Sequence, residues 1–78
     1  HDPELHDKIW SAVENLPPKN KDVFKLRFLK GLNTKEVGEE LDITPRTVET
    51  HVSKALKILR DQLDHLMIVI MILHYFAK

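Results

Sequence analysis

Cysteine is absent from this 78-residue chain, which excludes a disulfide framework and any thiolate metal site, and nothing in the composition requires an oxidising compartment. A cytoplasmic location is the default expectation. Breakers are scarce: glycine occurs only at positions 31 and 38, proline only at 3, 17, 18 and 45. No apolar run is long enough to span a bilayer. The longest, eight residues from Leu66 to Leu73, falls short of the ~20 that a spanning helix needs, and it lies at the wrong end for a signal peptide. Net charge is lacking too, because 12 Lys and Arg balance 12 Asp and Glu, whereas a nucleic-acid-binding domain is expected to be strongly basic. At this length one small domain is the limit, and it buries only about 60% of its unfolded surface, which leaves little room for a catalytic cleft.

The neutrality is a cancellation of bands. Residues 1–18 carry −3, residues 19–35 carry +5, residues 36–50 carry −4 and residues 51–61 carry +2. Apolar content is equally uneven, since 11 of the 12 residues from Leu66 to Ala77 are hydrophobic, interrupted only by His74. That tail is expected to face protein, with a membrane-interfacial segment as the lesser alternative.

Between the breakers the apolar spacing is helical. Leu5, Ile9, Ala12, Val13 and Leu16 recur at steps of three and four, which predicts a first amphipathic helix stopping before Pro17-Pro18. Val23, Phe24, Leu26 and Leu29 predict a second, begun near Pro18 and closed by Gly31 at C′. Asn33 followed by Glu36 is a capping-box pair, so a short third helix is expected over Thr34 to Leu41, with Asp42 taking the turn conformation after it. Thr44 then caps a fourth helix with Pro45 at its first position. From Arg46 onward there is neither Gly nor Pro. Val52, Leu56, Leu59, Leu63, Leu66, Ile70, Leu73 and Ala77 would form a heptad seam if that helix were continuous, and Pro45 to Phe76 in one piece would be about 48 Å long. Either the chain bends back near residues 60–65 or the tail pairs with another chain.

A short helix, a tight turn and a longer helix opened by Thr44-Pro45-Arg46-Thr47 fit the helix-turn-helix plan, in which the second helix enters the DNA major groove by its N-terminal end. Val48, Val52, Ala55 and Leu59 make that helix's inward face, which leaves Arg46, Thr47, Glu49, Thr50, Ser53 and Lys54 on the other side. Glutamate accepts from cytosine N4, Thr and Ser bond in either sense, and Lys donates to guanine. Thr44, Arg46, Lys57 and the basic band from Lys19 to Lys35 suit phosphates. Taken singly, each of these residues reads more readily as part of a solvated face than as a base reader; the spacing of the set carries the functional reading.

The run Leu16-Pro17-Pro18, Val23-Phe24 with Leu26 and Phe28, Gly31-Leu32, Thr34-Lys35-Glu36-Val37, Leu41-Asp42-Ile43, Thr47-Val48, His51, Ser53-Lys54-Ala55-Leu56 and Leu59-Arg60 resembles region 4 of bacterial sigma-70 family factors, most nearly the extracytoplasmic-function (ECF) type. The likeness is close over residues 16–60 and looser over 4–15. It implies an all-α fold, a four-helix domain with a helix-turn-helix of the three-helical, winged-helix-like DNA-binding class, here followed by a long hydrophobic C-terminal helical extension. It also implies recognition of the upstream (−35) promoter element in double-stranded DNA, and binding of the RNA polymerase core through the flap of its β subunit. By the same resemblance Glu49, Thr50, Ser53 and Lys54 face bases, while Thr44, Arg46, Thr47 and His51 face the backbone; Lys35 and Lys57 join the backbone set on charge and placement alone. Two departures stand out: Asp42 occupies the place of the usual turn glycine, and Glu49 stands where many relatives carry a basic residue.

Two other readings remain open at this point. LuxR-type output domains of response regulators share the turn, the Thr-Val-x-x-His spacing and the Gly-Leu element, although the Leu-Pro-Pro opening and the Ser-Lys-Ala-Leu…Leu-Arg ending favour the sigma reading. A helical interaction module that binds no DNA is the other. Nothing supports an enzyme, a catalytic residue or a cofactor. The five histidines are not spaced as metal ligands on one helix face, and His51 reads as a packing or phosphate-side residue. The expected division is a region 4-like domain over 1–63 and an apolar helical extension over 64–78, which packs on the core or on a second chain. Its partners would be polymerase, an anti-sigma factor or a second copy through Leu66, Ile70 and Leu73. The start at His1-Asp2, without methionine, is expected of a piece of a longer protein.

Overall fold

The structure, a computed structural model, describes residues 3–63 together with Leu66, Val69 and Leu73. Four α-helices follow one another: α1 over Pro3–Glu14, α2 over Pro18–Phe24, α3 over Thr34–Leu41 and α4 over Pro45–Gln62. No strand occurs among the described residues, so the helix-turn-helix stands without a wing there.

The helix boundaries have local causes. Pro18 sits in the first turn of α2, where its missing N–H costs nothing. Ahead of α3 the capping box closes in both directions: the Glu36 amide donates to Asn33 Oδ1 at 2.8 Å and the Asn33 amide to Glu36 Oε1 at 2.9 Å. Thr44 caps α4 by accepting from the Thr47 amide at 3.1 Å, with Pro45 next in line.

The second helix departs from the expected regular α-helix. After Phe24 the chain winds as a π-helix over Lys25–Leu29, and the Lys30 amide reaches back five residues to the Lys25 carbonyl at 3.1 Å. Gly31 then takes φ 72°, and the Leu32 amide closes on the Leu26 carbonyl at 3.1 Å. Gly31 therefore ends the element as expected, but from a wider coil. Leu29, assigned to the inward set by its spacing, is exposed at the end of that coil.

Two apolar clusters hold the helices together. Ala12, Val13 and Leu16 from the α1 side meet Phe24, Ala55, Leu59 and Leu63, with Phe28 packed alongside; the Phe24 and Phe28 rings stack at 4.6 Å between centroids. The second cluster lies inside the helix-turn-helix. There Val23, Val37 and Val48 are fully enclosed, ringed by Leu26, Leu32, Leu41, Ile43 and Val52.

α4 does not continue into the apolar tail. At Leu63 the backbone turns extended, φ −109° and ψ 151°, and the side chain is buried against the first cluster. The single straight helix from Pro45 and its unbroken heptad seam are therefore ruled out: Leu59 and Leu63 are spent on this domain's own core. Leu66 and Leu73 are exposed, whereas Ile70 and most of the 64–78 extension lie outside the described residues.

Candidate nucleic-acid interface

The geometry of the proposed reading unit is set by the turn between α3 and α4. Asp42 adopts the left-handed conformation, φ 56° and ψ 49°, which Asp tolerates better than most non-glycine residues. Its neighbour's amide, Ile43 N–H, donates to the Gly38 carbonyl at 2.9 Å. The Ile43 carbonyl passes so close to Gly38 that a Cβ there would lie 2.6 Å from it. Glycine at 38 is thus what lets the turn close onto α3, and the closed turn fixes the angle at which α4 projects.

On α4 the inward positions Val48, Ala55 and Leu59 are buried. Arg46, Glu49, Thr50, Ser53, Lys54 and Lys57 are all exposed, as are Lys35 and Thr44. At 3.6 residues per turn, Arg46, Thr50, Ser53 and Lys57 share the middle of the open face, with Glu49 on one margin and Lys54 on the other. Thr47 and His51 are half-buried on the margin that includes Lys54.

Hydrogen bonds narrow what some of these groups can offer. The Thr50 hydroxyl donates to the Arg46 carbonyl at 3.1 Å, leaving its lone pairs and methyl group for an incoming base. The Thr44 and Thr47 hydroxyls lie 2.9 Å apart and are engaged in the cap. Their side chains define the start of α4, so Thr44 is first a structural residue.

The basic band divides in the fold. Lys25 Nζ lies 2.6 Å from Glu14 Oε1, and Lys21 lies 3.7 Å from the other Glu14 oxygen. Lys25, by hydrogen bond and charge, and then Lys21 hold the Glu14 carboxyl below its ordinary range. Arg27 donates to the Leu32 carbonyl at 3.4 Å and lies 5.6 Å from the Phe28 ring centroid. The +5 band is therefore no continuous phosphate-binding strip: Lys21, Lys25 and Arg27 serve the fold, while Lys19, Lys30 and Lys35 remain exposed.

One polar residue escaped the sequence reading. Asn20, on α2, is buried, and its Nδ2 reaches the His51 carbonyl at 3.2 Å and the His51 Nδ1 at 3.4 Å. Its spacing from Val23 and Phe24, three and four residues on, already placed it on the inward face; only its polarity concealed the role.

This arrangement agrees with comparisons to known proteins. Residues 6–59 match the family model described as Sigma-70, region 4. The chain belongs to the sigma-70 region 4 family. It is 35% identical to the RNA polymerase sigma factor FliA of Escherichia coli (strain K12) over 65 residues, which are 83% of this chain and 27% of that protein. To the ECF RNA polymerase sigma factor SigW of Bacillus subtilis (strain 168) it is 35% identical over 63 residues, 81% of this chain and 34% of the relative. To the sigma factor SigV of the same strain it is 36% identical over 62 residues, 80% and 35% of the two chains. The chain thus spans about a quarter to a third of the length of these relatives. No solved structure matches it. The region 4 match takes in all of α2, α3 and the helix-turn-helix turn, and α4 as far as Leu59. Among the described residues, no helix of this region 4 is long and apolar enough to cross a membrane.

Proposed function

We propose that this region 4 recognises the upstream (−35) element of promoters as part of an RNA polymerase sigma factor. The observation that carries the reading is the doubly capped α3–turn–α4 unit, which rests its apolar side on the Val23, Val37 and Val48 cluster and leaves a polar, cation-bearing face open. In this reading Glu49, Thr50, Ser53 and Lys54 meet base edges. Glu49 accepts from cytosine N4, and Lys54 donates to guanine. Thr50 acts through its lone pairs and methyl group, because its proton is already donated within the helix. Lys35, Arg46, Thr47, His51 and Lys57 contact phosphates, with Thr44 setting the start of α4.

The RNA polymerase core, through its β flap, is the partner that brings the domain to DNA, and an anti-sigma factor is a further one. Residues 1–63 form the DNA-reading unit in this scheme. Residues 64–78 form an apolar extension available to a second surface, an assignment supported by the exposure of Leu66 and Leu73. A second copy of the chain is one such surface.

Selection from random duplex DNA at stated salt, with Glu49→Ala and Lys54→Ala beside the parent, tests this reading. A single enriched non-palindromic element is expected, with the preference of Glu49→Ala relaxed at one cytosine position and that of Lys54→Ala at one guanine position, each at a cost of about 1–3 kcal/mol. No enrichment, with or without a β-flap peptide, would defeat the proposal. A palindromic site would also oppose it, since that symmetry belongs to dimeric readers.

A further inference from the structure

The contact between α2 and α4 fixes more than a helix crossing. The His51 backbone carbonyl can only accept a hydrogen bond, so the Asn20 atom 3.2 Å from it is the amide nitrogen. The same NH2 group lies 3.4 Å from His51 Nδ1, so that ring nitrogen must present its lone pair. In a neutral imidazole the proton then resides on Nε2. No described residue bonds Nε2, and among the described residues no buried side-chain nitrogen or oxygen lacks a partner. Nε2 therefore keeps contact with solvent, on the α4 margin shared with Thr47 and Lys54.

We infer that Asn20 is a positioning residue: it holds His51 in the Nε2–H tautomer, so that the ring offers one fixed, uncharged donor to a phosphate of the bound duplex. This rests on the promoter-recognition reading. The logic is that of preorganisation. A ring held at Nδ1 loses little rotational freedom when it donates, whereas a lysine at the same margin would have to order a long side chain. An uncharged donor also contributes without neutralising a phosphate, so it supplies registry rather than long-range attraction.

Three measurements on the same proteins test this. Long-range 1H–15N spectra of the free parent should show the His51 proton on Nε2; a proton on Nδ1 would overturn the inference whatever the DNA results. On the selected duplex, His51→Phe and Asn20→Leu should each weaken binding about tenfold, the scale of a hydrogen bond to a charged group. The double variant should be no weaker than either single one. Multiplying losses would show that Asn20 acts on α4 independently of the ring, and would overturn the positioning role. The slope of log affinity against log salt should be the same for parent and His51→Phe; a slope shallower by about one would mean that the ring binds as a cation. Should Asn20→Leu fail to fold, Asn20→Asp keeps the size but cannot donate. It should move the ring proton to Nδ1 and weaken binding similarly, and an unmoved proton with unchanged affinity would refute the inference. A parent that binds no duplex defeats the promoter reading and the phosphate contact together, while the nitrogen spectrum still decides the hold of Asn20 on the ring.

Discussion

Replacing Gly38 by alanine sets two effects of opposite sign against each other. Alanine in place of glycine within a helix is worth about 1 kcal/mol in intrinsic propensity, and by that measure alone Gly38→Ala should stabilise α3. The new methyl, however, would stand 2.6 Å from the Ile43 carbonyl oxygen. That oxygen belongs to backbone, so it cannot rotate aside as a flexible side chain would. It is held on one side by the Ile43 amide bonded to the Gly38 carbonyl at 2.9 Å and on the other by the Thr44 cap. Relief requires opening the turn, which loosens that hydrogen bond, worth about 1 kcal/mol, and the packing of Val37 on Val48. Overfilling of this kind costs about 1–3 kcal/mol. The clash should win, leaving a net loss of about 1–2 kcal/mol, or roughly 5–15 °C in Tm for a domain this small. Thermal unfolding followed by far-UV circular dichroism measures it, with Gly31→Ala as the control. A Cβ at Gly31 meets nothing within 4 Å but must adopt φ 72°, so that variant should lose about 1 kcal/mol from backbone strain alone and keep its DNA affinity. Gly38→Ala should lose affinity beyond its loss of folded protein, because the direction of α4 changes. A Gly38→Ala protein as stable as the parent, or more so, would refute the account of the turn.

Asn33→Ala should cost about 1 kcal/mol in urea unfolding, since the Glu36 amide loses its Asn33 Oδ1 acceptor while the Asn33 backbone amide can still donate to Glu36. Leu59→Ala, at a fully buried site where the first cluster meets α4, should cost about 2–5 kcal/mol by the same assay. In a 13C carboxyl titration Glu14 should ionise below 4.5, and Lys25→Met should move its midpoint back up. A carboxyl whose folded pKa is depressed stabilises above the unfolded value and loses that contribution as the pH falls through the folded one, so the Glu14–Lys25 contact should fade only below about pH 4.5. Finally, with Arg46, Lys57 and Lys35 as the cations that meet phosphates, log affinity against log salt should have a slope no steeper than about −2.7; a slope near about −7 would mean that the basic band from Lys19 to Lys30 also binds.

What was legible in the sequence was what short-range chemistry decides. Asn33, Glu36, Thr44 and Pro45 fix their helix starts with bonds spanning three residues, and α3 and the start of α4 lie where those residues predict. The open face of α4 was legible for the same reason, since the inward spacing of Val48, Ala55 and Leu59 dictates what lies opposite. The rest depended on partners distant in sequence. Nothing near Leu63 breaks a helix; the chain turns extended there with the Leu63 side chain packed among residues from α1 and α2. Asn20 and His51 stand 31 residues apart, and Lys25 is drawn to Glu14 across the Pro17-Pro18 corner. The π winding of Lys25–Leu29 has no side-chain signature at all.

The charge pattern takes its meaning from these pairings. A neutral chain with a +5 segment looked like a basic surface offset by acid elsewhere, yet Glu14 neutralises part of that segment within the fold. The cations left to meet DNA are few and lie chiefly along α4, where Glu49 stands among them. Long-range attraction between this domain and a duplex is consequently weak, and discrimination must come from short contacts whose geometry is fixed beforehand. The features that distinguish the fold serve that requirement: a turn closed on Gly38, a helix start pinned by Thr44, a Thr50 proton already committed and a His51 ring held by Asn20. Such a surface gains little by searching DNA alone. On the promoter reading proposed above, a larger assembly would deliver it; the aligned stretch makes up 27%, 34% and 35% of the three sigma factors compared.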